Sequence, residues 1–365
     1  GFASSAVIVF QAAQTMGASP AQIASWMWAL GLGMGVTCIG LSLRYRMPVV
    51  TAWSTPGAAM LIASGSGLPL REAIGAFVLS ALLMMVAGFS GWFERIISRI
   101  PVSLASAMLA GVLLRFGLDV FVAMQSQLGM ALAMFVVYLL TRRLLPRYAV
   151  IATLLVGVAI AAASGLMGWN TVELALARPV WVTPSLSLAA VFGIALPLFV
   201  VTMASQNVPG GAVIRAAGYR VPISPVIGWT SAVNAVLAPF GAFALNLAAI
   251  TAAICMGREA HEDRDRRYVA AIAAGVFYVL VGVFGATVAS LFAAFPKELV
   301  MAIAGIALLG TIGNSLAAAM RDEHDREAAL VTFLVTASGL SLFGIGAAFW
   351  GLVAGIATLL LARRA

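Results

Sequence analysis

Charge is what this chain has least of. Asp, Glu, Lys and Arg make up 9% of its 365 residues, where soluble domains carry about 25%. Scarcity on that scale excludes both a solvated globular surface and a charged disordered chain. Histidine and cysteine are scarce too, with two of each. His261 and His324 sit in the charged stretches HEDRDRR and RDEHDRE, which read as solvated loops of mixed charge, and no metal or other cofactor is implied. Cys38 and Cys255 lie in apolar runs, where a thiol behaves as a small hydrophobe and a disulfide has no reason to form. The thirteen acidic residues all fall in loops or near the ends of apolar runs, so no run carries a carboxylate at its middle.

What is present is apolar sequence: 62% of residues are hydrophobic and the mean hydropathy is +1.06. Charges cluster between long uncharged runs, several of which exceed the ~20 residues that one membrane-spanning helix needs. The spacing predicts an all-α polytopic membrane protein of about fourteen spans. Gly1 stands where a Met would be expected, so the chain is expected to begin inside its first helix; its first residues carry no signal-peptide pattern. With the first helix running outward, seventeen arginines fall in inner loops and only Arg71, Arg178 and Lys297 in outer ones. That asymmetry is the one cytoplasmic loops show, and it places both termini in the cytoplasm. The net charge of +8 then needs no nucleic acid; basic loops facing anionic lipid account for it.

The two halves echo each other. FQAAQ at 10–14 has a counterpart in ASQN at 204–207, the proline-led segment from Pro48 in the one from Pro239, and IPVSLASAMLAGVLL at 100–114 in FPKELVMAIAGIALL at 295–309. A unit of seven spans repeated once must be inverted in the membrane. Residues 48–64, PVVTAWSTPGAAMLIAS, and 239–257, PFGAFALNLAAITAAICMG, each run from proline through a β-friendly stretch into a small-residue helix former. Read as pure helix, the first reaches only about 27 Å against a core of about 30 Å. An extended start makes up the difference, with Thr51, Trp53 and Thr55 favouring strand and Pro56 opening the helix. Extended backbone cannot face lipid, so the two segments, spans 3 and 10, are expected to pair and to aim their helix N-termini at one site.

The runs TAWSTPGAA (51–59), IPVSLASAMLAG (100–111), RRLLPRYAV (142–150), PLFVVTMASQNVPG (197–210), APFGAFALNLAAITAAICMG (238–257) and ASGLSLFGIGAAFWG (337–351) resemble the BenE-type benzoate transporters over essentially the whole chain. The resemblance implies benzoate/proton symport and the architecture of nucleobase and sulfate-type anion carriers. That architecture has two inverted seven-span repeats, spans 3 and 10 half strand and half helix, and often a homodimer through gate domains. The core domain would be 1–94 and 187–293, and the gate domain 101–166 and 296–363. Nucleobase carriers of this fold place a glutamate in span 8 and another before an asparagine at span 10. This chain has Ser205, Gln206 and Asn207 in the first place, and Leu245 before Asn246 in the second.

A site without carboxylates suits an anionic ligand, since two helix N-termini attract it by about 0.3 to 2 kcal/mol each while a fixed anion would repel it. Gln206, Asn207 and Asn246 offer NH2 groups, Ser205, Ser54 and Thr55 hydroxyls, and Trp53, Phe243 or Phe240 an aromatic face, with Leu245 beside them. Other roles stand beside these. Gln11, Gln14 and Asn234 equally suit interhelical hydrogen bonding, and Trp53 suits a membrane interface. Arg115 and Asp119, one turn apart, are expected to form a satisfied pair, with coupling or gating as the alternative. GFSG at 88–91 matches a serine-protease motif, but no base lies within reach in the membrane, so helix packing explains it better; GLGMG at 31–35 reads as packing too. A uniporter or channel, or a carrier of another organic anion or nucleobase, remains the competing function.

Overall fold

The computed structural model describes the chain apart from residues 1, 65–66, 92–100, 170–173, 221, 258–259, 341, 343–346 and 363–365, and apart from the side chains of 2–4, 64, 147, 212, 216, 250 and 362. Of the seventeen arginines counted in inner loops, Arg95, Arg99, Arg258, Arg363 and Arg364 lie outside the described residues, as do the domain limits at 94 and 363.

Helices dominate. They are α1 (Phe2–Thr15), α2 (Pro20–Tyr45), α3 (Thr55–Ser64), α4 (Leu70–Phe89), α5 (Val102–Ser126), α6 (Leu128–Leu144), α7 (Ala149–Ala163), α8 (188–216), α9 (Ile223–Leu237), α10 (Ile250–Met256), α11 (Tyr268–Val283), α12 (Gly285–Ala293), α13 (Lys297–Ala319), α14 (Arg326–Ala337) and α15 (Ala347–Ala362). Among the described residues, seven segments are long and apolar enough to cross a membrane, those of α2, α4, α5, α8, α9, α11 and α13; α7 and α15 are shorter apolar helices. α5 and α13 start 195 residues apart, at Val102 and Lys297.

The helices pack in two sets. In one, α2 lies against α11, α12 and α9, and α4 against α9; in the other, α5 lies against α13 and α14, α14 against α15, and α6 against α7. Small residues permit the closest crossings: a Cβ on Gly31 would stand 2.6 Å from the Gly282 Cα, and one on Gly88 2.4 Å from the Gly228 nitrogen. Gly31 and Gly88 thus belong to helix packing. Gly91, with open space around it and φ +66, instead ends its helix in a turn. Local signals set the boundaries. At α2, Ser19 and Gln22 form a reciprocal capping box with Pro20 at the first helical position.

Two strands, β1 (Thr51–Trp53) and β2 (Leu245–Leu247), pair antiparallel with Thr51 opposite Leu247, Ala52 opposite Asn246 and Trp53 opposite Leu245. Flanking bonds lengthen the ladder: Ser54 N–H donates to the Ala244 carbonyl (3.1 Å) and Ala248 N–H to that of Val50 (2.9 Å). Each strand leads into a helix, β1 into α3 and β2 into α10.

A two-stranded sheet leaves two outer edges of unpaired backbone, and here side chains close them. On the β1 edge, Ser42 Oγ donates to the Val49 carbonyl (3.0 Å) and accepts from Val49 N–H (3.1 Å). Cys38 Sγ accepts from Thr51 N–H (3.2 Å) and faces the Thr51 carbonyl at 3.6 Å. The Thr51 hydroxyl meets that of Thr37 at 2.5 Å. The spacings match, because four residues of helix rise about 6 Å and two residues of strand about 6.6 Å. Cys38 and Ser42 therefore sit level with Thr51 and Val49. On the β2 edge, Asn207 Oδ1 accepts from Leu247 N–H (2.9 Å).

Replacing Ser42 by Ala orphans both backbone groups of Val49 and is expected to cost about 1–3 kcal/mol, read as a lower melting temperature in detergent. Ser90→Ala, at an exposed helix end, is expected to leave it within about 0.5 kcal/mol.

Candidate functional site

The sheet brings most of the residues singled out in the sequence into one region. Ser54 caps α3: its Oγ accepts from Gly57 N–H (2.9 Å) and its carbonyl from Ala58 N–H (2.8 Å). Two donors of the first turn of α3 are therefore already engaged by the chain itself. Thr55 follows, half-buried. The Trp53 indole donates to Ser5 Oγ (2.9 Å) and so fastens β1 to α1.

On the opposing strand Asn246 lies within β2, ahead of α10 rather than on its first turn. Its residue is 1% exposed. Nδ2 donates to the Ala244 carbonyl at 2.9 Å, while Oδ1 is buried without a hydrogen-bond partner. Ala244 itself has φ +45, a conformation that non-glycine residues rarely adopt. Its carbonyl receives both the Ser54 N–H and the Asn246 amide. Leu245 is fully buried, with its Cδ1 2.6 Å from where a Cβ on Gly33 would stand. Phe243 is fully buried in a ring cluster, 5.7 Å from Trp26 and 5.6 Å from Phe77 between centroids. Gly241 has φ +101 and no room for a side chain, since a Cβ would fall 1.8 Å from the Trp26 ring.

α8 supplies the third wall. It contains two π turns, Val191–Ala195 and Met203–Asn207. Each contains the residue four before a proline, Gly193 for Pro197 and Ser205 for Pro209. Proline has no N–H to give that carbonyl and its ring presses on it, so the helix widens there. The second π turn packs against β2 and turns Asn207 onto Leu247. The rest of the Asn207 amide is engaged as well, Nδ2 lying 3.2 Å from Met203 Sδ. Ser205 Oγ donates to the Val201 carbonyl within its own helix (2.6 Å). Gln206, half-buried between them, has an amide that makes no hydrogen bond among the described residues. Asn207 thus holds the strand, whereas the Gln206 amide has no partner among the described residues.

Arg115 and Asp119 make no salt bridge within 4 Å among the described residues, although the Arg115 charge acts on the Asp119 carboxyl; Arg115 is exposed on the protein surface. An i,i+4 pair with the cation on the N-terminal side is the less favourable order. Neither residue bonds to β1, β2 or the second π turn. No group of three or more metal-ligating side chains occurs among the described residues.

Sequence reasoning missed Cys38, Thr37 and Ser42 as strand caps and the π turns of α8. The signal for the turns was present in Pro197 and Pro209; nothing in the local sequence pointed to Cys38.

Two paired strands, each leading into a helix, stand beside a helix widened by π turns. The same fold occurs in the solved structure of SLC26A9, with a TM-score of 0.60 at 12% identity over 99% of this chain. It occurs again in the murine Solute Carrier 26 family member A9 anion transporter in its inward-facing state, with a TM-score of 0.56 at 14% identity over 98% of this chain. The chain spans 65% of the first of those proteins and 67% of the second.

The chain belongs to the BenE family, described as benzoate membrane transport protein, whose pattern matches residues 1–361. It is 40% identical over 350 residues to the benzoate membrane transport protein of Acinetobacter baylyi, covering 96% of this chain and 89% of that one. It is 51% identical over 355 residues to the inner membrane protein YdcO of Escherichia coli, covering 97% and 91%. Its family consists of membrane transporters, not enzymes.

Asn207→Leu leaves Leu247 N–H unpaired and is expected to lower stability by about 1–3 kcal/mol. Gln206→Ala breaks no hydrogen bond and is expected to leave the melting temperature unchanged. Parallel thermal melts of the two variants check the division of roles between neighbours.

Proposed function

We propose that this protein imports benzoate or a related small aromatic carboxylate across the bacterial cytoplasmic membrane, together with a proton, by alternating access. Family membership and the name of the Acinetobacter relative support the substrate; the name of the Escherichia coli relative supports the inner membrane. The observation that carries the location of the site is the β1/β2 pair, which joins two strand-then-helix segments beside a π turn bearing an unengaged amide.

In this reading the chain crosses the membrane about fourteen times, as two inverted repeats with both termini cytoplasmic. Residues 51–64 and 245–256 form the discontinuous crossings. Residues 1–94 and 187–293 make the core domain that carries the substrate, and 101–166 and 296–363 the gate. The two helix packing sets support this division. Gln206, Asn246, Ser54 and Thr55 line the site, Asn207 and Ser205 shape it, and Trp53, Leu245 and Phe243 form the apolar wall behind it. Arg115 and Asp119 lie on the gate side, where a role in gating is open to them. Copies of the chain associate as a homodimer through the gate domains.

The substrate follows from what the site lacks. Amides and hydroxyls recognise a carboxyl group by hydrogen bonds, and neutral surroundings impose no repulsion on it. A uniporter or channel would use the same residues without coupling.

Purified protein in proteoliposomes is expected to accumulate labelled benzoate when an inward proton gradient is imposed. Equilibration indifferent to the gradient would leave uniport or a channel. Gln206→Ala and Asn246→Ala are expected to reduce uptake by tenfold or more with folded protein retained, taking each as losing about 1.4 kcal/mol or more of binding. Gln14→Ala, at an exposed position, is expected to transport normally.

A further inference from the structure

The orientation of one amide bears on which form of the substrate is bound. Asn246 sits at the centre of the strand pair, opposite Ala52, and is 1% exposed. The Ala244 carbonyl decides which way its amide faces: Nδ2 donates to it at 2.9 Å. Turning the amide over would set two acceptor oxygens against each other, so the orientation is settled by its partner. The oxygen that remains, Oδ1, is buried and accepts nothing. A buried acceptor without a donor is costly in an apolar interior. What completes it must be a hydrogen-bond donor.

A carboxylate has acceptors only, whereas a carboxylic acid has one O–H donor and a carbonyl acceptor. Asn246 Oδ1 has nothing to offer the first and is complementary to the second. The carbonyl of the same acid would then take an N–H, and the Gln206 amide, adjacent to the residue that bonds Leu247, is unengaged. One donor that an anion could have used, Gly57 N–H at the start of α3, already serves Ser54 Oγ.

No carboxylate stands among the described residues of the elements packed on β2 to compete for the proton; Cys255 on α10 and Tyr278 on α11 share the buried cluster of Leu247 and Cys38. The elements packed on β2 are β1, α2, α9 and the second π turn of α8. Their only titratable or charged side chains are Cys38, Arg44 and Tyr45 on α2 and Arg215 on α8. Cys38 is engaged with Thr51, and the other three lie in the last turns of their helices.

The geometry points to the neutral carboxylic acid as the bound form, with Asn246 Oδ1 accepting the hydrogen bond of the carboxyl O–H. This rests on the transport reading above and names its proton carrier. The carboxylate takes one proton from the outer solution, crosses as the uncharged acid and returns that proton inside. One substrate and one proton move together, and the chain itself never changes charge.

Displacement of labelled benzoate from the purified wild-type protein by two uncoupled probes tests it. Benzamide is neutral at every pH and presents an N–H where the acid has its O–H; benzenesulfonate is a permanent anion with acceptors only. Benzamide is expected to displace benzoate with an affinity independent of pH, and benzenesulfonate to fail. The apparent affinity for total benzoate is expected to fall about tenfold per pH unit across the neutral range, following the fraction of acid. Asn246→Leu is expected to weaken benzamide binding by about tenfold. Displacement by benzenesulfonate and not by benzamide would overturn the inference while leaving benzoate as substrate. Undiminished benzamide binding in Asn246→Leu would overturn the assignment to that residue. A wild-type protein that binds no benzoate would overturn the transport reading and this inference with it.

Discussion

Backbone hydrogen bonds that have nowhere to go are the constraint on which this structure turns. A helix satisfies its own peptide groups, but a strand does not, and in an apolar interior no water makes up the difference. β1 and β2 solve half of the problem for each other. The other half falls to side chains: Cys38 and Ser42 on one edge, Asn207 on the other. The sheet is thereby tied on one side to α2 and on the other to α8. Those ties, more than the three-residue strands themselves, keep the start of α3 and the start of α10 together.

The same accounting separates neighbouring polar residues that look equivalent in sequence. Asn207 has both ends of its amide in use, so it is a structural part. Gln206 uses neither, and Asn246 uses one. Incomplete polar groups also occur at Gln11 and Asn234, so what distinguishes Asn246 is its place in the strand pair, and a group already complete is a poor place to look for a ligand. Arg115 illustrates the opposite outcome. As the cation embedded in an apolar run it is the obvious attraction for an anion, yet it is exposed and bonded to none of the site elements.

Much of this was legible in the sequence, for physical reasons that can be named. Thr51 and Trp53 favour extended chain and Pro56 favours a helix start, and residues 51–64 fold in that order. Small residues at Gly31 and Gly88 announced close helix crossings. The acid-free character of the Ser205, Gln206, Asn207 stretch could be read directly. Side-chain roles that depend on a partner distant in the chain could not. Cys38 reads as a small hydrophobe until Thr51 is set beside it, and the Arg115 and Asp119 spacing gives electrostatic contact without a close salt bridge. Nor does any local pattern reveal which end of the Asn246 amide is spent, because Ala244 decides that through a left-handed backbone.

The match between helix rise and strand rise works as a vernier. α2 ends at Arg46 in a left-handed conformation, φ 53 and ψ 34, and only Met47 and Pro48 separate it from Val49. Inserting or deleting one residue in that connection would carry Val50 and Ala52 to the face where Val49 and Thr51 now meet Ser42 and Cys38. Both strand faces would exchange and every edge contact would be lost at once. The connection between α2 and β1 is thus length-critical, and tolerance of indels belongs elsewhere in the chain.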